Sequence, residues 1–332
     1  MRVLITGGCG FAGRHLAHHL VKCGDDVAVT YLPELKAEAM KQQPFMITLP
    51  QQSQTIALDI TDRENVRKVI QLMRPDVVYH LAGITYVPDA EKDLRNAFEV
   101  NTFGTANVIE ALVEFCPESR FLFVSSAEVY GDARPGTLPL VETASMRPLS
   151  TYGVSKCAAD LLTFKIAQST KIHAIRVRPF PHIGPGQSER FAMSNFAKQL
   201  AMIKLGRQEP LIKVGNLEAR RDYSDVSDIV RGYREAILNG NNGEAYNLCS
   251  GKSQMIGDLL NMLIKISETD AKVEVDPARV REIEIVDLYG SQQKALKDFG
   301  WKPRVELEDA LGSLFAFWVE ALANQPKTPK AT

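Results

Sequence analysis

Residues 2–13 constrain this chain more than any other stretch. Arg2-Val3-Leu4-Ile5-Thr6 is a short, β-branched apolar run of the kind buried in a parallel sheet, and it breaks directly into Gly7-Gly8-Cys9-Gly10-Phe11-Ala12-Gly13. Those glycines satisfy both a G-x-x-G-x-x-G and a G-x-G-x-x-G spacing. Phe11, Leu16 and Leu20 then recur at helical spacing, so the glycine turn opens an amphipathic helix. A turn without Cβ atoms lets the backbone approach a pyrophosphate, whose charge sits on the free N–H groups at the positive end of the helix dipole. A glycine-rich turn without a ligand is the alternative, and the strand–turn–helix setting argues against it.

The same alternation continues. Val27-Ala28-Val29, Thr55-Ile56-Ala57-Leu58, Val77-Val78-Tyr79, Phe121-Leu122-Phe123-Val124 and His173-Ala174-Ile175-Arg176-Val177 are five further buried-strand candidates. Helical segments lie between them, for example over Val100, Val108 and Leu112. This pattern predicts an α/β fold: a Rossmann-type, doubly wound parallel sheet with right-handed crossovers. After about residue 180 the texture changes, with Pro179, Pro181, Gly184, Pro185 and Gly186 followed by shorter elements. We divide the chain into a dinucleotide-binding unit at 1–178, a smaller C-terminal substrate-binding α/β lobe at 179–326 from which a segment returns to the first unit, and a tail at 327–332. Pro33 to Gln54 is polar and long for a βα loop, and is expected to be part helix and part surface loop.

Composition removes other classes. With 332 residues the chain has room for about two compact units. Its 45% hydrophobic and 24% charged residues are ordinary globular values, which argues against a disordered, collagen-like or coiled-coil chain. The 39 Lys and Arg nearly cancel the 40 Asp and Glu, so no global field favours nucleic acid or acidic lipid, and an anionic ligand needs a local basic site. Neither a membrane nor nucleic acid is expected as partner. The five cysteines form no close pair and no zinc-ligand cluster, which fits a reducing compartment. With no apolar leader at the N-terminus and no long apolar window, a cytoplasmic location is expected. His15 and His19 stand four apart without a third ligand, so a helix surface is the better reading than a metal site.

Three positions point to proton transfer. Tyr152 and Lys156 are four apart on one helical face, and Ser126 closes the fifth strand, at the sheet edge where open α/β proteins bind ligands. A nearby ammonium favours phenolate, so Lys156 is expected to lower the Tyr152 pKa, while Ser126 hydrogen-bonds the same substrate oxygen. The second strand ends in Thr30-Tyr31-Leu32-Pro33, where an NAD site would usually carry an acid. Glu34 and Lys36 are nearby, which leaves the choice between NAD and NADP open. Asp59-Ile60 suits either an adenine contact or a helix cap.

Taken together, Thr6 to Gly13, Leu81-Ala82-Gly83, Asn101, Ser125 to Gly131 and Tyr152-Gly153-Val154-Ser155-Lys156 resemble the extended short-chain dehydrogenase/reductase family, also called the NAD-dependent epimerase/dehydratase family, which modifies nucleotide-sugars. His80 to Pro88, Arg178 to Gln187 and Tyr246 to Gly251 resemble its GDP-4-keto-6-deoxy-mannose reductases. Val214 to Tyr223 is shared with the related GDP-mannose 4,6-dehydratases, and Asp276 to Arg281 and Gly300 to Pro303 belong to both.

The resemblance implies a dinucleotide, NADP or NAD, held by Gly7, Gly10, Phe11, Ala12, Gly13, Asp59, Ile60, Leu81, Ala82, Gly83, Asn101, Val124, Tyr152, Lys156, Pro179 and His182. It implies a GDP-sugar held by Thr85, Tyr86, Ser126, Glu128, Asn195, Lys198, Val214, Arg221, Arg281 and Glu284, with the two arginines on the phosphates and Glu284 on the guanine edge. Ser126, Tyr152, Lys156 and Glu128 are the implied catalytic set. The implied reaction is reduction of the C4 ketone of GDP-4-keto-6-deoxy-D-mannose to a GDP-6-deoxy-hexose, GDP-D-rhamnose. A GDP-mannose 4,6-dehydratase using Glu128 as base, a nucleotide-sugar 4-epimerase and a non-catalytic dinucleotide-binding regulator are the competing readings. A homodimer is implied, through helices around 96–115 and 152–168. One departure stands out: Pro181 occupies the place of an Asn after Arg-Pro-Phe and brings neither a side-chain donor nor an N–H.

Overall fold

In the computed structural model, which describes residues 1–33, 47–133, 136–280 and 285–324, seven strands form one parallel sheet. They are β1 (Arg2–Thr6), β2 (Asp26–Tyr31), β3 (Gln54–Ala57), β4 (Val77–His80), β5 (Arg120–Val124), β6 (His173–Pro179) and β7 (Ala245–Leu248). Their order across the sheet is β7-β6-β5-β4-β1-β2-β3, every neighbouring pair parallel. All six sequence-predicted strands are present. The order reverses between β1 and β4, where Thr6 lies in register with His80, and ligand crevices of doubly wound sheets open outside that switch point.

The longer helices are α1 (Phe11–Lys22), α2 (Arg63–Met73), α3 (Gly104–Phe115) and α4 (Thr151–Ser169) in the first half of the chain. In the second half they are α5 (Ala192–Lys204), α6 (Val226–Asn239), α7 (Ile256–Ser267) and α8 (Leu307–Ala323). One sheet face is covered by α1 and α6, with Leu16, Ala17 and Leu20 meeting Val226, Ile229 and Tyr233 over Val3, Ile5 and Val29. The other face carries α2, α3 and α4, where Val66, Ile70, Val108, Leu112 and Ala159 bury Leu4, Val78, Phe121 and Phe123. Strands apolar on both faces need both covers, which explains why β1, β2 and β4 read as near-continuous apolar runs.

The second half of the chain divides its work. Helices α5, α7 and α8 build a separate core around Phe196, Leu200, Leu259, Leu263, Leu314 and Trp318. In contrast, α6, β7 and Trp301 pack into the main sheet. The residues of 179–326 therefore serve both layers, as an order of strands that adds β7 beside β6 requires. The segment from Pro33 to Gln54 lies partly, and the tail 327–332 wholly, outside the described residues. Among the described residues no helix is long and apolar enough to cross a membrane.

Candidate active site

The glycine turn is closed by steric necessity. A Cβ on Gly13 would lie 2.6 Å from Gly8 Cα, and one on Gly7, whose φ is +69°, would lie 2.7 Å from Ala82 Cα. The turn is thus pressed against the loop after β4, and only glycine fits. Helix α1 starts at Gly10 with no side-chain cap and no acid in its first turn, so its free N–H groups face the turn without competition. This cradle fits a dinucleotide pyrophosphate. Phe11 and Ala12 follow on the first turn of α1, and Phe11 stacks on His182 at 5.9 Å. His182 donates from Nδ1 to the Phe180 carbonyl, and burial lowers its pKa.

Thr30 stands where an acid was sought, and its hydroxyl accepts the Gly7 N–H at 3.1 Å. The end of β2 therefore braces the turn rather than offering a carboxylate. Glu34 and Lys36 lie outside the described residues. Asp59 accepts the N–H and hydroxyl of Thr61 through one oxygen, and the cap of α2 is Asp62, so the helix-cap alternative for Asp59 is not what the fold adopts.

Two of the expected cofactor contacts are turned inward. Ile60 is buried beneath Gly104, whose added Cβ would strike Ile60 Cδ1 at 2.6 Å, and Asn107 holds its carbonyl. Asn101 sits in a widened, π-helical turn at Glu99–Phe103 and spends both amide hydrogens on Ile84 O and Ser155 Oγ, while its oxygen takes the Ile84 N–H. It props the Leu81-Ala82-Gly83 loop from behind. Val124 and Pro179 close β5 and β6 beside this loop, Val124 half-buried and Pro179 buried.

At the carboxyl ends of the strands, Ser126 caps the short turn Ala127–Val129 and accepts the Glu128 N–H at 3.1 Å. The Ser126 side chain is close enough to Tyr152 to act on its phenol. Tyr152 and Lys156 enter from the first turns of α4, which Ser150 caps through the Gly153 N–H. Burial pushes the Tyr152 phenol up to about 12, Ser126 works against it, and the negative charge of half-buried Glu128 adds to it. The expectation that Lys156 lowers this pKa is overturned: desolvation outweighs any attraction in a pocket where Tyr152 is 7% exposed. The tyrosine is consequently held in its neutral form. Burial also lowers Lys156 to about 7, against the opposing pull of Asp160, and its Nζ lies 4.3 Å from the centre of the Phe123 ring.

The sequence reading missed what stands behind Lys156. Asp160 is buried and takes hydrogen bonds from Arg176 at 2.8 Å and from Arg178 Nε and Nη2 at 3.0 and 2.9 Å. Despite burial, these arginines hold its carboxyl below the usual range. Arg178 continues to the Tyr130 hydroxyl, which donates to Asn247 Oδ1 on β7. An acid one turn after Lys156 and two arginines on an apolar strand were the available signals.

On the lobe side, Asn195 is held by Glu189 O, Gln199 and Arg279, and Lys198 pairs with Glu189 at 3.1 Å. Arg221 donates to the carbonyls of Arg220 and Ile285. Arg281 and Glu284 lie outside the described residues. Val214, with Ile212, points into the lobe core, fully buried, and strand alternation leaves Lys213 to face solvent. Thr85 is exposed and Tyr86 half-buried at the mouth between the two halves. There Arg190 reaches both Asp89 oxygens at 2.7 Å and lies 3.9 Å over the Tyr86 ring. Pro181 accepts the Ser224 N–H at its carbonyl at 3.0 Å. His15 bonds Pro185 O, and among the described residues no group of acids, histidines and cysteines is arranged to hold a metal.

Comparison with known proteins agrees with this geometry. The GDP-6-deoxy-D-mannose reductase of Pseudomonas aeruginosa is 31% identical over 317 residues, covering 96% of this chain and 97% of the relative. The solved structure of RMD from Pseudomonas aeruginosa complexed with NADPH superposes with a TM-score of 0.82 at 29% identity, over 96% of this chain and 99% of that one. The Thermus thermophilus UDP-glucose 4-epimerase complex with NAD gives a TM-score of 0.83 at 25% identity, over 96% and 99%. The GDP-mannose 4,6 dehydratase family pattern matches residues 4–314. With a glycine cradle at the sheet's switch point and the Ser126–Tyr152–Lys156 group beside it, this chain belongs to the GDP-mannose 4,6 dehydratase family of the epimerase/dehydratase enzymes.

Proposed function

We propose that the protein reduces the C4 ketone of GDP-4-keto-6-deoxy-D-mannose to a GDP-6-deoxy-hexose, GDP-D-rhamnose. The observation that carries this reading is the buried Tyr152 phenol, kept protonated beside Ser126, because ketone reduction needs a proton donor at the nascent alkoxide. The likeness to a GDP-6-deoxy-D-mannose reductase across nearly the whole of both chains supports the substrate. The cofactor is NADP or NAD, as in the structural relatives. When bound, the nicotinamide supplies hydride.

The protein's own part is positional and acidic. Ser126 and Tyr152 converge on one point, so a ketone oxygen placed there receives two hydrogen bonds and takes its proton from Tyr152. Lys156, when charged, stabilises the phenolate left behind. Arg221, which lies on the lobe, is the basic group we assign to the phosphates of the substrate. We expect the active unit to be a homodimer.

A second reading, dehydration of GDP-mannose, is favoured by Glu128, whose charge is felt at Tyr152. The test mixes the purified protein with GDP-mannose alone, and separately with the keto-sugar plus NADH or NADPH, followed by mass spectrometry and reduced-nicotinamide absorbance. Stoichiometric cofactor oxidation with a gain of two hydrogens by the keto-sugar is the expected result, and Glu128→Gln retains it. Loss of water from GDP-mannose without net cofactor consumption, abolished in Glu128→Gln, would replace reduction by dehydration.

A further inference from the structure

His80 ends β4 and is completely buried, yet the reading above gives it no role. Both ring nitrogens are engaged: Nδ1 lies 2.7 Å from Thr6 Oγ1, and Nε2 lies 2.9 Å from Thr105 Oγ1. Proton counting fixes the direction of each bond. Thr105 has one hydroxyl hydrogen and gives it to the Asn101 carbonyl at 2.7 Å, so it accepts from His80, whose Nε2 must carry the proton. Burial, with the nearby Lys156 charge, lowers the His80 pKa to about 3, so the ring holds a single proton and Nδ1 accepts from Thr6.

The two ends of this chain of bonds reach different parts of the site. Thr6 immediately precedes the glycine turn; its carbonyl takes the Leu81 N–H at 3.1 Å, and Gly7 presses on Ala82 one residue further. On the other side Asn101 donates to Ser155 Oγ at 3.0 Å, and Ser155 donates to the Tyr152 carbonyl at 2.8 Å. The His80 ring also stacks near Phe123, the ring over which Lys156 Nζ is held.

We propose that His80 is a positioning residue: fixed as the Nε2–H tautomer, it joins the pyrophosphate cradle through Thr6 to the Tyr152 end of α4 through Thr105, Asn101 and Ser155, and so sets the distance between cofactor and proton donor. This rests on the reading of the cleft as a dinucleotide and keto-sugar site. A histidine with both nitrogens occupied by different partners can do this because the two contacts are separable: an asparagine oxygen reproduces the Nδ1 acceptor alone, and a glutamine amide reproduces the Nε2 donor alone.

The experiment uses the full chain. Nitrogen-15 NMR of histidine-labelled protein is expected to show His80 with a bare Nδ1 and a protonated Nε2 that does not titrate over the neutral range. His80→Asn is expected to lower kcat on the order of tenfold to a hundredfold, the scale of a small misplacement of reacting groups, with NADPH or NADH affinity close to that of the parent. Thr105→Val, which keeps the histidine, is expected to reproduce it. His80→Gln is expected to weaken dinucleotide affinity more than kcat. An Nδ1–H or doubly protonated ring would overturn the proposal, as would losses of affinity and kcat that move together in all three variants and follow their melting temperatures. If the parent binds NADPH or NADH but turns over no keto-sugar, the proposed reaction fails, and the tautomer and the affinity difference between His80→Asn and His80→Gln still decide the role of His80.

Discussion

At the residue scale, the site is governed by desolvation more than by attraction between charges. Tyr152 and Lys156 are 7% and 4% exposed, so each is pushed toward its uncharged form. Replacing Tyr152 by Phe removes only the hydroxyl, and kcat is expected to fall by roughly 10²- to 10⁴-fold with dinucleotide affinity retained, as steady-state rates and fluorescence titration would measure. Lys156 links the same physics to stability. Its folded-state pKa is near 7, below the 10.5 of a free side chain, so between those values the unfolded chain binds a proton that the folded one does not. Stability therefore rises with pH across that window, and the cost of the buried ammonium is felt in full below about 7. Lys156→Met is expected to raise the melting temperature by a few degrees near about pH 6, with a gain that shrinks by about pH 9; a gain independent of pH would contradict the assignment. Ser126, Tyr152 and Lys156 were legible as candidates from a strand end and a four-residue helical spacing read together with the glycine turn, because four residues along a helix return a side chain to the same face. Their ionisation was not, since burial depends on which elements cover them.

At the scale of elements, β1, the glycine turn and α1 form the unit whose local sequence most fully dictates its shape. Gly13→Ala places a Cβ 2.6 Å from a backbone atom of the same turn, so the helix must shift away from the strand. Dinucleotide binding is expected to weaken severely while far-ultraviolet circular dichroism stays close to the parent; unchanged affinity by calorimetry would mean the ligand lies elsewhere. Apolar β-branched runs made the six predicted strands readable, whereas β7 escaped notice because Ala245-Tyr246-Asn247-Leu248 carries a polar Asn whose side chain is satisfied by Tyr130 and Leu140. The π-helical turn at Glu99–Phe103 is likewise silent in sequence. Its widening is what aims Asn101 at Ile84 and Ser155, a geometry that no periodicity encodes.

For the whole molecule, the decisive feature is a buried charge cluster that ties the catalytic helix to β6, where Asp160 is fully buried and Arg178 is 2% exposed by side chain. Asp160→Asn leaves two arginines without their counter-charge, and a loss of about 3–5 kcal/mol in denaturant unfolding is expected; a loss under about 1 kcal/mol would mean that solvent reaches the cluster. Across the cleft, Arg190 and Asp89 join the lobe to the short helix Val87–Lys92 that follows β4, a pairing of residues far apart in the chain. By itself the sequence determined the class of fold, the glycine turn at the switch point and the candidate Tyr152–Lys156 pair, because each is written in local spacing: period two or an apolar run for strands, three to four for helices, glycine where a Cβ has no room. The tertiary structure alone decided that Val214 and Ile60 turn into cores, that Thr30 braces the cradle, that Tyr152 remains a neutral acid and that His80 holds one tautomer. Each of those depends on dielectric surroundings and on hydrogen-bond partners brought together from distant segments, and neither quantity exists until the layers have packed.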